Sequence, residues 1–537
     1  VTKYSRSLIL GCSVLALSAC GPEDIASPGS GGNITINNPA APAPTPSPTP
    51  TPTAPVGVVP AAGCPTVATD SGTITGPSGT WRVCSLPRVI TSSQTLPRIP
   101  GLLYRLDGRT DIGCDGGFTV PTSGAPFATS TVGCPSASLT ADTNVTLTIE
   151  PGVIIYANTG QSWLVANRGN RLNAVGTATR PVIFTSRDNV LGLNTGTSQG
   201  QWGGVVLLGR GTTTDCNFGT VGSNTCERQT EGAPDPARYG GTNNADNSGR
   251  LSYVQIRYSG FVLSGTSELQ GLTTGSIGSG TVLDHIQSHN SSDDGAEFFG
   301  GVVNMKYYIA DGADDDSVDV DTGAQMNLQY AIIAPRSGFG DGLMEIDSNN
   351  NESDTPRTTL QVANFTAVQP AVSSANESSG NTNAGTLFRG NSDTTLINGI
   401  IASPNNECVR VNGSGSLANR ATLTARSVAL SCNSTKYLAT GTAGITYTTA
   451  EIGGVFTGNN NNDALTSTLT GLFVNGANET GVPATDPKTF AAFFDTTTWI
   501  GAVRNSTDTW YAGWTCSSAN LSLGANTGDC TTIPVFS

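Results

Sequence analysis

The chain has 537 residues, only 12% of them charged, and a formal net charge of −14. That acidic balance excludes a nucleic-acid binder, which needs a basic face for the phosphates. With so few charges, solubility falls to Thr, Ser, Asn and Gly.

In chain order, 1–19 read as a lipoprotein signal peptide. Lys3 and Arg6 make a small basic start, Leu8 to Leu17 an apolar run too short to span a bilayer, and Leu17-Ser18-Ala19-Cys20 the cleavage site. Cys20 is expected to be the lipidated first residue. Gly21 behind it is similar to the outer-membrane sorting pattern of Gram-negative lipoproteins, so the predicted location is the outer membrane, with the body facing the cell surface. Segment 20–60 is a tether: Asn37 to Pro60 is rich in Pro, Ala and Thr and favours polyproline II, which at ~3.1 Å per residue gives roughly 60–70 Å of reach. No later stretch has the length and apolarity of a transmembrane span.

Of 12 cysteines, Cys12 leaves with the signal and Cys20 is acylated. The rest fall into local couples, Cys64/Cys84, Cys114/Cys134, Cys216/Cys226, Cys408/Cys432 and Cys516/Cys530, read as disulfides of an oxidising compartment. Residues 61–140, with two couples, are expected to form a disulfide-tied N-terminal cap.

Residues 141–450 carry a repeat. Leu251–Arg257, Leu283–His289, Met305–Asp311, Leu328–Ala334, Leu396–Ala402 and Leu423–Ala429 fit one strand template, and the steps 283→305 and 305→328 are 22 and 23 residues. A second strand recurs within each turn, at Ala296–Phe299, Val318–Asp321, Met344–Asp347, Leu387–Arg389 and Val409–Val411. Short β-branched strands at a fixed period predict an all-β solenoid, a parallel β-helix whose turns bury apolar side chains by stacking. Residues 451–537 are expected to cap its C-terminal end.

Ile149–Val153, Ala174–Ser186, Gln201–Val206, Ser276–Thr281, Asp293–Gly301 and the late Phe493-Phe494, Trp499–Ala502 and Trp510–Thr515 together resemble a bacterial family of secreted or surface lipoproteins. The resemblance implies a pectin-lyase-like, right-handed parallel β-helix. It also implies bacteria with many TonB-dependent receptors, making such a receptor an expected partner, and it implies no particular activity.

The most chemical stretch is 284–347. Superposed second strands place Asp293, Asp315 and Asp341 in one column, Asp294 on Asp316, Glu297, Asp319 and Glu345 in another, and Asp321 under Asp347. Alternation sends Val318 and Val320 inward, so Asp319 and Asp321 face out. Carboxylates stacked ~4.8 Å apart repel by a few kcal/mol. The ladder therefore needs protons or a hard cation, and Ca²⁺, which takes six to eight oxygens, is the predicted cofactor; a solvated acidic face is the alternative.

The first-strand template stacks Tyr253, His285, Tyr307 and Tyr330, either a sugar-binding strip or a surface stack that stiffens the coil. It also aligns Arg257, His289 and Asp311, either an acid–base relay or a salt-linked column. Arg389 and Arg410 are placed above the acidic rungs, with Arg410 grouped among the ligand contacts. The expected function is a noncatalytic, Ca²⁺-stabilised binding or adhesion scaffold, for polysaccharide or for an outer-membrane receptor. The alternative is a lyase or hydrolase of acidic polysaccharide, with Asp319, His289 and Arg389 as its catalytic candidates. Asp293-Asp294-Gly295 matches part of a polygalacturonase pattern, but the later His-Gly and Arg-Ile-Lys elements are missing.

Overall fold

The computed structural model describes Gly57–Phe536 except 159, 231–236, 265–266, 339, 349–350 and 373–384. The predicted signal segment, Cys20 and most of the tether lie outside the described residues. No described helix is long and apolar enough to cross a membrane.

The body is a parallel β-helix whose turns visit three walls in order. Val302–Asp311 shows the plan: 302–306 lie in the first wall, Tyr307 turns the corner at φ 59°, 308–311 lie in the second wall, and Asp319–Asp321 supply the third. The predicted register holds. Met305 pairs with Leu283 below and Leu328 above, and Val320 with Phe298 and Ile346. These side chains are buried in the long central core.

The corner between the first and second walls has one geometry from rung to rung. Tyr253, His285, Tyr307, Tyr330, Asn364, Asn398 and Ser427 all take left-handed backbone angles, φ 50 to 63°. For residues other than Gly that conformation costs roughly 1–2 kcal/mol each. The cost is offset by side-chain ladders: aromatic rings stack on one another, and the asparagines above them hydrogen-bond to the C-terminal segment. Inside, volume is traded between rungs. Phe365 sits beside Gly399, where any Cβ would collide with its ring.

Both ends differ from expectation. Rungs begin well before residue 141: Gly79–Ser85, Val89–Ile90, Gln94–Leu96, Leu102–Leu106 and Arg109–Ile112 already pair in the three walls. Thr69–Gly76, antiparallel to Gly79–Ser85, and the segment around the Cys64–Cys84 bridge, where Ala61, Val67 and Ala68 pack on the core, cover the first edge. At the other end, helix Thr449–Val455 closes the core with Ile452 and Phe456. The chain then runs back along the outer face of the second wall. Asn398 donates to the Thr485 carbonyl (2.8 Å), Asn364 to that of Trp499 (2.8 Å), Gln287 to that of Cys516 (2.9 Å) and Arg98 to that of Phe536 (2.9 Å). Residues 457–536 are therefore mainly a lateral strap, because the outward second-wall residues Ile309, Ile332 and Ile400 are apolar and need a cover.

Each expected cysteine couple is bonded: Cys84 to Cys64, Cys134 to Cys114, Cys226 to Cys216, Cys432 to Cys408 and Cys530 to Cys516. Their placement corrects the picture of a cap tied by two bridges. Cys134 lies in the connection between Phe127–Ala128 and Ser138–Leu139, a small antiparallel pair, and its bond to Cys114 pins that excursion to the end of the third-wall strand Arg109–Ile112. Cys226 closes a ten-residue loop with Cys216, beside the bridge of Phe218 to Glu227. Cys432 ends the second-wall strand Ala429–Cys432 and is joined to Cys408, which enters the third-wall strand Val409–Gly413. Disulfides therefore fasten excursions and late rungs as well as the first edge.

Candidate functional site

The third wall carries the acidic ladder. Phe298, Val320 and Ile346 point into the core, so Glu297, Asp319 and Glu345 share the outer face and stand in register on three rungs. The Asp347 amide bonds the Val320 carbonyl (3.0 Å), which continues the register and sets Asp347 above Asp321. In the preceding turn the Asp316 amide donates to Asp294 Oδ1 (2.9 Å). Gly342 follows in that column, and a Cβ there would collide with the Asp316 carboxylate.

Carboxylate oxygens of Asp294, Glu297 and Asp319 lie within 4.8 Å of one another, as do those of Asp293, Asp294 and Asp315, so Asp294 belongs to both groups. Asp341 sits on the next rung with its amide on the Asp314 carbonyl (3.2 Å) and joins neither triad.

Burial makes these charges costly. Asp294 is held well above the usual carboxylate range by desolvation, then by Asp293 and Glu297. Asp316 is raised likewise by burial and Glu345, and Asp319 by burial and then Glu345, Asp321 and Asp347. Burial also lifts Asp321 against the pull of Arg228. Asp347 is pushed up to about 7 by burial, which the Arg389 charge only partly opposes. Arg389 stands on the next rung and grips Glu345 through Nη2 (2.9 Å) and Asp347 through Nε (2.6 Å). The shielded Asp319 Oδ1 and Asp347 Oδ1 find no hydrogen-bond donor among the described residues.

The donor set suits a hard cation. Both triads are all oxygen, and Ca²⁺ with bonds of ~2.3–2.6 Å can be shared by oxygens up to ~4.8 Å apart, whereas Mg²⁺ at ~2.0–2.1 Å closes near 4.2 Å. Two triads joined through Asp294 offer room for such an ion on the outer face.

Other predicted residues are placed elsewhere. Arg257, His289 and Asp311 do align on three rungs, and His289 Nδ1 lies 2.9 Å from Asp311 Oδ2. They face the strap, however. His289 and Asp311 are each 1% exposed, and Arg257 donates to the Cys530 and Thr532 carbonyls (3.0 and 2.7 Å). The Cys530 sulfur also lies close to His289 and Asp311, but its bond to Cys516 leaves no thiolate to offer a metal. The column is a buried brace, not a relay that substrate can reach. The aromatic column forms as expected, with centroids 4.2, 4.3 and 4.7 Å apart from Tyr253 to Tyr330. The rings spend their faces on each other, and Trp514 packs edge-on over Tyr253 and His285, so no continuous sugar strip is left open. Arg410 is not near this column. It lies buried on the third wall, one rung above Leu387 in the Glu345 column, with Nε donating to Thr440 Oγ1 (3.1 Å). Arg228, which bears on Asp321, was missed because its loop carries no repeat from which to read a register. Gly342, which ends the Asp294–Asp316 column, was not singled out, although the superposition that aligns Asp315 with Asp341 also sets it above Asp316.

A family model described as a pectate-lyase like beta helix domain matches residues 136–515. No curated protein and no solved structure matches the chain.

Proposed function

The chain belongs to the pectate-lyase-like β-helix family, and from that premise we propose that its third wall is a calcium-loaded face that binds acidic polysaccharide without cleaving it. The observation that carries this reading is the in-register set Glu297, Asp319 and Glu345 together with Asp294, Asp316 and Asp347, more buried negative charge than Arg389 and Arg228 balance. A Ca²⁺ held by Asp294, Glu297 and Asp319 would neutralise the ladder and keep outward coordination positions for sugar carboxylates. Arg389, at the upper border, would add a guanidinium to the same anionic ligand. It is clamped by two carboxylates, which keeps it charged and argues against service as a base.

In this proposal Cys20 carries the lipid anchor, the Pro-rich tether lifts the wall away from the outer membrane, and a TonB-dependent receptor there is the protein partner. Fatty-acid labelling should be lost in Cys20→Ala, and mild crosslinking should recover the receptor.

The central test uses a soluble form lacking the first twenty residues, mixed with polygalacturonate in Ca²⁺ or EDTA. Retention on the polymer in Ca²⁺, release by EDTA, and no new unsaturated or reducing ends are expected. Oligosaccharide release would convert the reading to a lyase or hydrolase. Equal retention in Ca²⁺ and EDTA would remove calcium from it.

A further inference from the structure

On the side away from the acidic ladder, the strap does not close tightly over the aromatic corner. A cleft of about 360 Å³ opens there between Tyr307 and Tyr330 of the column and Trp499, Arg504, Asp508 and Trp510 of the strap. This volume is at the lower end of the range for small-molecule sites, ~300–1,000 Å³. We propose that this cleft is a second binding site, independent of the third wall, for a neutral sugar ring or disaccharide.

The chemistry of the lining selects that class. A pyranose has apolar C–H faces and a rim of hydroxyls, so it needs aromatic surface with polar groups at the border. Trp510 leans over Tyr307 (centroids 5.2 Å, 55° between planes) and is anchored by its Nε1–H to the Ala502 carbonyl (3.0 Å). Trp514, outside the cleft, is similarly tied to the Trp510 carbonyl (2.9 Å). Trp499 differs. Its Nε1–H is shielded from solvent and meets no acceptor among the described residues, although the side chain lines the cleft. The indole is half-buried, so it offers the cleft apolar ring surface.

Charge points to a neutral ligand. Asp508 accepts from the Arg504 amide through Oδ2 (3.0 Å), and the Arg504 guanidinium lies 5.5 Å above the Trp499 ring, already in the place a cationic ligand would take. Nearby, Lys306 and Asp495 pair at 2.7 Å. The rim thus carries one carboxylate and one guanidinium, a pair that can bind adjacent hydroxyls and leaves no net charge to attract a uronate.

Tryptophan fluorescence of the soluble form, titrated in EDTA with cellobiose, lactose and diacetylchitobiose and with trigalacturonate as the acidic comparator, tests this. Saturable binding of at least one neutral disaccharide is expected, weakened tenfold or more in Trp499→Ala and in the surface variant Arg504→Ala, and unchanged in Asp319→Asn. The Arg504 side chain is exposed, so that variant keeps the test valid if Trp499→Ala misfolds. No saturation by any neutral sugar, affinity equal to the parent in Arg504→Ala, or loss of binding in Asp319→Asn would each overturn the proposal. The last would move sugar binding to the third wall.

Discussion

Stripping divalent cations and then raising the pH should destabilise the folded body, and Asp347 sets the scale. Its carboxyl is held at about 7 in the fold, against roughly 3.9 in an unfolded chain. The folded state therefore keeps a proton that the unfolded state has released, and stability falls as pH rises between those values. Over about three pH units at ~1.4 kcal/mol each, the loss approaches 4 kcal/mol and is complete above about pH 7. A body of about 480 residues unfolds with roughly 1 kcal/mol/K of entropy, so Tm should drop by about 4 °C from this group alone. Asp294, Asp316 and Asp319 are raised in the same direction and add to the fall. Under the proposed calcium site the ion would replace the protons: at about 100 times its Kd it would return ~2.7 kcal/mol, so the pH dependence should flatten. The assay is a set of thermal melts from about pH 4 to about pH 8 in EDTA and in excess CaCl₂. A Tm in EDTA that stays level or rises over that window refutes the reasoning, as does an identical slope in both buffers.

Asp319→Asn should raise Tm in EDTA near neutral pH by removing a like charge, yet weaken Ca²⁺ at least ~10-fold, about 1.4 kcal/mol, by calorimetry; a lower Tm in EDTA would contradict the repulsion account. Arg389→Met leaves Glu345 and Asp347 without their guanidinium and should cost about 2 kcal/mol near neutral pH in EDTA, and less near pH 5, where Asp347 is protonated; denaturant titrations at the two pH values check both the loss and its sign. Gly399→Ala should cost about 1–3 kcal/mol by forcing a Cβ into the Phe365 ring, with Phe365→Leu in the same chain recovering much of it; a double-mutant cycle with no coupling would show that the rungs do not share volume as described.

The middle of the coil was legible because nothing interrupts it. Leu283, Met305 and Leu328 follow at one-turn steps, and the same alignment places Glu297, Asp319 and Glu345 in their column. The lower rungs were hidden by brevity. Val89–Ile90 and Gln94–Leu96 are too short to show a period, and Arg109–Ile112 is polar because Arg109 and Asp111 pair in a buried ion bridge (2.6 Å). The cysteine couples told which sulfurs meet but not what they fasten, so Cys134 read as part of a cap although it pins a side excursion. The strap was invisible for a different reason. It has no repeat, and it holds on through single side chains such as Asn364 and Asn398 meeting its backbone.

Its existence, though not its source, was written in the second wall. Tyr308-Ile309-Ala310 and Ala331-Ile332-Ile333 are apolar on both faces, which a strand tolerates only when both are covered. The third wall obeys the same rule. In its lower rungs the outward residues are Val206 and Leu208, which with Phe299 pack under Ala237 and Tyr239. Above them the outward residues become Glu297, Asp319 and Glu345, and alternation with the core residues is restored. The acidic columns begin where the apolar cover ends. The distribution of outward apolar residues therefore separates the surface that the strap and loops cover from the wall whose outward side chains are acidic. His289, for all its chemistry, lies under the strap beside Cys530, and Asp319 lies on the acidic wall.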